Sequence, residues 1–176
     1  MAYGIFESTN IKGRNWTFRG DVDIENGMLV TKGALITKDI YKAVLPATAT
    51  LEDEPVYVVG HPAGSYDSSS ATNKNENGYI NKAGKNFRVY ELAANDRFAI
   101  ADYGIDLTGV GGNVEAGQFV GLANGSGKPV ASAAKPTGSA FIGEVIEVKN
   151  QGNTYFVGTE VDLRITKVVI SVIQNG

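Results

Sequence analysis

The chain has 176 residues, 43% of them aliphatic or aromatic and 20% charged, with a net charge of −3, one histidine and no cysteine. Such a composition fits one globular domain or two small ones fused, and excludes a disordered chain. The charge lacks the basic footprint of a nucleic-acid binder, and the missing cysteines exclude a disulfide framework. Residues 1–10, MAYGIFESTN, carry neither a basic nor an apolar leader region, and no run approaches the length of a membrane span. Synthesis in the cytoplasm with no membrane segment is the expectation.

In chain order, residues 1–20 hold Tyr3, Phe6, Trp16 and Phe18 among Lys12, Arg14 and Arg19 with no clean period, which predicts an extended N-terminal arm. Trp16 and Phe18 are then candidate partner-binding anchors, with Arg14 and Arg19 set against an acidic surface; the alternative is that the aromatics pack on the chain's own core. Short strands are expected at 28–30 and 34–36, about a turn at Thr31-Lys32-Gly33. Residues 56–59 are an apolar run of the kind that fills a sheet core. From 62 to 86 the chain turns to Gly, Ser, Asn and Lys, a long loop that is either functional or a surface excursion.

Beyond the loop, 87–92 and 97–101 alternate, with Asn95-Asp96 as the turn between them, and 109–112 is a glycine-rich reset. Strands follow at 141–149, 154–163 and 164–173, and Asn150-Gln151-Gly152-Asn153 is expected to make a hairpin of the first two. No segment of ten residues shows helical periodicity. With 22 glycines marking turns, the fold class is mainly β, a short-stranded barrel or sandwich.

Two stretches ninety residues apart are alike: Ile24-Glu25-Asn26-Gly27-Met28-Leu29-Val30 and Val114-Glu115-Ala116-Gly117-Gln118-Phe119-Val120. A glycine two places after a glutamate, feeding an apolar pair, is the signature of a tight turn entering a strand. Gly27 and Gly117 are therefore expected at equivalent structural turns with positive φ, in two related β-modules. The expected division is an arm at 1–20, a first module at 21–108 carrying the 62–86 loop, and a second module at 109–176.

Motifs for chemistry fail on their mechanics. Gly125-Ser126-Gly127-Lys128 resembles the end of a phosphate-binding loop, but Leu122 stands where the leading glycine belongs and Pro129 where the magnesium-binding hydroxyl does. Asp21-Val22-Asp23-Ile24-Glu25 opens like a calcium loop, yet its glycine comes one place late and Lys32 occupies the twelfth position. His61 has no cysteine or second histidine to join it and reads as a solvent-facing turn residue. Glu144 and Glu147, at odd spacing on a strand, should face opposite ways. Asn15 and Asn124 head formal glycosylation acceptors that mean nothing without secretion. No catalytic residue, metal or cofactor is expected, and the chain reads as a non-enzyme.

The order Ile24-Glu25-Asn26-Gly27-x-Leu29-Val30-x-x-Gly33-x-Leu35, the Ala-Thr stretch 47–50, the apolar run 56–59 with Tyr66-Asp67, Asn81-Lys82-Ala83-Gly84-Lys85-x-x-Arg88-Val89-Tyr90-Glu91-Leu92 and Asp96-x-Phe98-Ala99-Ile100 resembles tailed-bacteriophage head decoration, or cement, proteins. The similarity covers residues 20–105 well, and the second motif and Gly143-Glu144-Val145 more loosely; the Ser- and Asn-rich 67–79 segment departs from the pattern. It implies a β-rich protein of the virion, on the outer capsid surface, made in the bacterial host cytoplasm. It would bind the major capsid protein of the assembled head as a homo-oligomer, a trimer before other sizes, and stabilise contacts between capsomers. The alternative is a glycan-binding β-module on a virion or cell surface.

Overall fold

The computed structural model describes residues 4–47, 54–62, 79–123, 125–151 and 165–176. Eleven described strands form two sheets and no helix longer than a 3-10 turn. They are β1 (Phe6–Asn10), β2 (Asn15–Gly20), β3 (Leu29–Thr37), β4 (Ile40–Val44), β5 (Val56–Val59), β6 (Asn86–Glu91), β7 (Arg97–Ala101), β8 (Phe119–Ala123), β9 (Ser126–Ser132), β10 (Phe141–Gln151) and β11 (Ile165–Asn175). The fold class is mainly β, as the glycine-punctuated alternation predicted.

One sheet is a closed barrel in the order β2-β4-β3-β5-β6, and the other is an open sheet in the order β1-β7-β11-β10-β8-β9. Around the barrel from β2 the order is β2-β6-β5-β3-β4; from β7 the open sheet repeats it as β7-β11-β10-β8-β9. The barrel closes where β2 runs parallel to β4. The open sheet imitates that closure with one parallel bridge, in which the Asp106 N–H donates to the Pro129 carbonyl and the Ala131 N–H to the Asp106 carbonyl, both at 2.8 Å. The duplication thus extends from a seven-residue motif to the topology of five strands.

The two motif turns are equivalent bond for bond. Gly27 has φ +85° and Gly117 φ +90°. Each glycine N–H donates to a valine carbonyl on the neighbouring strand, Val59 or Val145, at 2.8 Å, and that valine's N–H returns a 2.8 Å bond to the carbonyl of Met28 or Gln118. Both glycines stand third in their turns, the place where a type II turn needs positive φ.

Two cores result. Inside the barrel lie Phe18, Val30, Ala43, Tyr57, Val59, Phe87 and Val89. A larger cluster lines the open sheet with Phe98, Ile100, Val120, Phe141, Val145, Val168 and Ile170, and takes in Leu29, Val56 and Val58 from the barrel's outer face. Strand alternation explains the sharing: on β5, Tyr57 and Val59 point into the barrel while Val56 and Val58 point at the open sheet. All four residues are buried, so the unbroken apolar run is that of a strand covered on both faces.

Several expectations are corrected. No separate arm exists in the described part of 1–20: β1 pairs with β7 and β2 pairs with both β4 and β6. The aromatics without a period belong to two strands in different sheets. The chain passes from the barrel to the open sheet between β6 and β7, ahead of 108/109, and β1 already belongs to the open sheet. The glycine run 109–112 lies on the β7–β8 connection, while the junction is a tight turn at Asn95, φ +71°. Nor does β3 turn at Thr31-Lys32-Gly33; it runs on through a register shift between Lys32 and Leu35, and Gly33 gives Val44 and Lys42 of β4 room to approach. The described partners of β10 are β11 and β8, with Asn150 and Gln151 still inside the strand and paired to β11; residues 154–163 lie outside the described residues, as do 47–50 beyond Ala47 and most of the 62–86 loop.

Candidate interaction surface

Strand β2 decides the fate of the four residues singled out as partner anchors. Its even positions face the barrel interior and its odd ones face out. Phe18 is fully buried, 5.1 Å from the Tyr57 ring and 6.3 Å from that of Tyr41, so it anchors the core and is closed to a partner. Trp16, two residues earlier on the same face, plugs the barrel's end and is half-buried. Its Nε1–H donates to Glu91 Oε2 at 3.1 Å, and its ring meets Tyr41 edge-on at 5.7 Å. Lys32 lies over both rings, its Nζ 4.3 Å from the Trp16 centroid and 3.9 Å from that of Tyr41. One ring face that a stacked sugar would use is thereby occupied by an ammonium. Burial, then the Glu91 charge, then Tyr41, raise the Tyr57 hydroxyl pKa above the usual phenol value. Arg19 faces the other way, its Nε donating to Asn86 Oδ1 at 2.9 Å, and Arg14 stands exposed before the strand. The alternation of the strand turns Trp16 and Phe18 to one face and Arg19 to the other, so they do not share one surface.

The surface that sequence reading missed is the far half of β3 and its return. Residues 34–37 are exposed on both faces of the strand, so the β3–β4 hairpin projects from the barrel. Leu35 is 57% exposed, Ile36 42% and Val44 37%. The signal is an Ala-Leu-Ile run before a Lys-Asp turn, which breaks the alternation that a half-buried strand keeps; a short strand at 34–36 is expected from it, but not its exposure. Among the described residues two other large apolar side chains are exposed, Val22 on the β2–β3 connection and Ile146 on β10.

Ile146 is the extra residue of a bulge in β10, which also overturns the reading of the two glutamates. Val145 and Val148 both reach the core although three residues apart, and Glu144 and Glu147 pair with Ser171 and Val169, on one face of β11. The bulge therefore brings both carboxylates to the same outer face. Glu147 is taken up by Lys149 at 3.2 Å.

At the base of the 62–86 loop, whose residues 63–78 lie outside the described set, His61 is half-buried rather than solvent-facing. Its backbone N–H donates to Asn26 Oδ1 at 3.1 Å, its carbonyl accepts from Asn26 Nδ2 at 2.9 Å, and its Nδ1 accepts the Arg88 N–H at 3.3 Å. Asn81 donates to Ile24 O and Asn26 Oδ1, and the Tyr79 ring stacks on His61 at 6.0 Å. Both ends of the loop are thus fastened to the first motif turn. Burial and then the Arg88 charge hold the His61 pKa below the usual imidazole value.

The calcium-loop mimic is accounted for by salt bridges. Asp23 holds Lys82 and the Ala83 N–H at 2.8 and 2.9 Å, which lowers its pKa, and Asp21 holds Lys42 at 2.6 Å. Of Gly125-Ser126-Gly127-Lys128, Gly125 lies in the turn before β9 and the other three open that strand. Among the described residues no three His, Cys, Asp or Glu side chains are placed to share a metal. A cleft of about 200 Å³ lies among Asp102, Leu107, Asn113, Asn150 and Thr166, smaller than the usual range for small-molecule pockets. No helix among the described residues is long and apolar enough to cross a membrane. No protein-family model, curated protein or solved structure matches the chain.

Proposed function

We propose that this chain is a non-enzymatic structural protein of the phage head decoration type, which binds the major capsid protein on the outside of the assembled head and holds neighbouring capsomers together. One observation carries the reading beyond the resemblance: the uncovered apolar side chains among the described residues, Leu35, Ile36 and Val44 on the projecting hairpin, Val22 on the β2–β3 connection and Ile146 on β10, occur on both modules and do not line the described cleft. An enzyme or a small-ligand binder gathers its binding groups in a concavity. A cement touches several neighbours at once through modest contacts and gains its strength from their number.

The mechanism is linkage. A protein that binds only the intact lattice adds its binding free energy to the cost of opening that lattice. The free protein is expected to bind expanded capsids and not isolated capsid subunits. Particles lacking it should rupture at a lower temperature, and the difference should persist in moderate salt, because apolar contact is screened little. The test is thermal rupture of particles with and without the protein at two salt concentrations; identical rupture temperatures would overturn the cement reading.

A further inference from the structure

Within the chain, module two grips module one by a hairpin, and the duplication shows where the corresponding grip by module one would fall. The Gly125 N–H donates to the Pro46 carbonyl at 2.7 Å, and Lys128 Nζ lies 3.7 Å from Glu25 Oε1. Gly127 is seated so closely that a Cβ there would stand 3.2 Å from both the Leu29 carbonyl oxygen and Met28 Cβ. The start of β9 thus rests on the first motif turn. Leu29, on the strand leaving that turn, is fully buried.

The register carries the equivalence across each hairpin. Thr31 lies opposite Val44, and its counterpart Gly121 lies opposite Val130, so Val44 matches Val130 and Lys42 matches Lys128. Glu25 and Leu29 match Glu115 and Phe119. The hairpin of module one is the longer of the two and carries the exposed Leu35 and Ile36. Glu115 is exposed, and Phe119 is only half-buried where its counterpart Leu29 is sealed.

We infer that a second copy of this chain completes the pattern: the β3–β4 hairpin of one copy docks on the Glu115–Phe119 turn of the next, with Lys42 facing the neighbour's Glu115 as Lys128 faces Glu25 within the chain. Lys42 exchanges its exposed partner Asp21 for that glutamate. Tyr41 stands where Gly127 does, so the approach is wider at that point, and Leu35, which lies opposite Tyr41 in the hairpin, fills the gap against Phe119. The contact is heterologous, hairpin to turn, so copies run head to tail and form a ring when the rotation closes. The proposal rests on the duplication and is independent of the capsid reading.

The test is light scattering of the full chain, without capsids, over a concentration series. The wild type is expected to form an oligomer, while Leu35→Asp and Glu115→Lys each give a monomer with a wild-type melting profile. Mixing the two variants should yield a one-to-one dimer and nothing larger, since one sound interface remains between them; a hairpin-to-hairpin contact cannot do this. Phe119→Asp provides a second acceptor variant, and Lys42→Glu combined with Glu115→Lys should restore assembly. A wild-type monomer up to the solubility limit, or a Glu115→Lys chain that keeps the wild-type mass, overturns the proposal.

Discussion

Gly27 and Gly117 occupy equivalent turns in unlike surroundings, which separates two costs of the same substitution. At either site alanine must adopt a left-handed backbone, a penalty of about 1–2 kcal/mol. A Cβ at Gly117 meets nothing within 4 Å, whereas at Gly27 it stands 2.9 Å from Ile100 Cγ2 at the contact between modules. Gly117→Ala should lower the urea-unfolding free energy by about 1 kcal/mol, and Gly27→Ala by clearly more, because packing strain adds to backbone strain. The single histidine gives a second residue-level expectation. Its folded-state pKa is lowered, so the neutral ring is favoured in the fold and the unfolded chain binds the proton more readily. The stabilising contribution is complete above the unfolded value of about 6.5 and is lost as pH falls from there through the folded pKa. Protonation also removes the Nδ1 lone pair that accepts the Arg88 N–H. Unfolding free energies measured between pH 7.5 and 5 should fall for the wild type and flatten in His61→Gln.

Among the elements, β2 shows how a strand can be mistaken for an arm. Its alternation covers only six residues and mixes Trp16 and Phe18 with Thr17 and Arg19, too short a run to reveal a period beside the unrelated β1. In the fold it closes the barrel by pairing with β4 on one side and β6 on the other. Deleting residues 1–20 should therefore leave a chain without cooperative unfolding, since it loses barrel closure and the buried Phe18 ring, itself worth about 3–5 kcal/mol when truncated to alanine. A folded deletion variant, judged by circular dichroism and a cooperative melt, would show that the barrel closes without β2. The motif turns, β5 and the strands β6 and β7 were legible in sequence because local chemistry fixes them: a glycine that must have positive φ, an unbroken apolar run, a clean alternation. The projecting hairpin, the bulge at Ile146 and the module boundary were not. They depend on which strand lies alongside, and no local pattern encodes that.

In the whole molecule, the two modules are joined by more than a linker. The larger core draws Leu29, Val56 and Val58 from the barrel into the cluster lining the open sheet. At the junction turn, Asp96 Oδ1 and Oδ2 accept the Lys12 and Ala93 N–H groups, and the backbone of Asn95 and Asp96 pairs with Val172 of β11. The last residue of β11 then reaches back across the chain. Asn175 Oδ1 accepts the Val56 N–H at 2.8 Å, and its Nδ2 donates to the carbonyls of Val56 and Leu92 at 3.0 and 2.8 Å, taking the place of a strand partner at the start of β5. Trp16, the sole tryptophan, lies in the barrel and reports on module one alone. If the modules unfold as one unit, the Trp16 fluorescence and far-ultraviolet dichroism transitions should coincide in urea. Asn175→Ala, a change in module two, should then move the Trp16 transition too, by about 1–3 kcal/mol, because it strips partners from polar groups at the start of β5. A Trp16 midpoint that stays in place while the dichroism midpoint falls would mean that the barrel stands alone, and that the shared core contributes little to holding the two halves together.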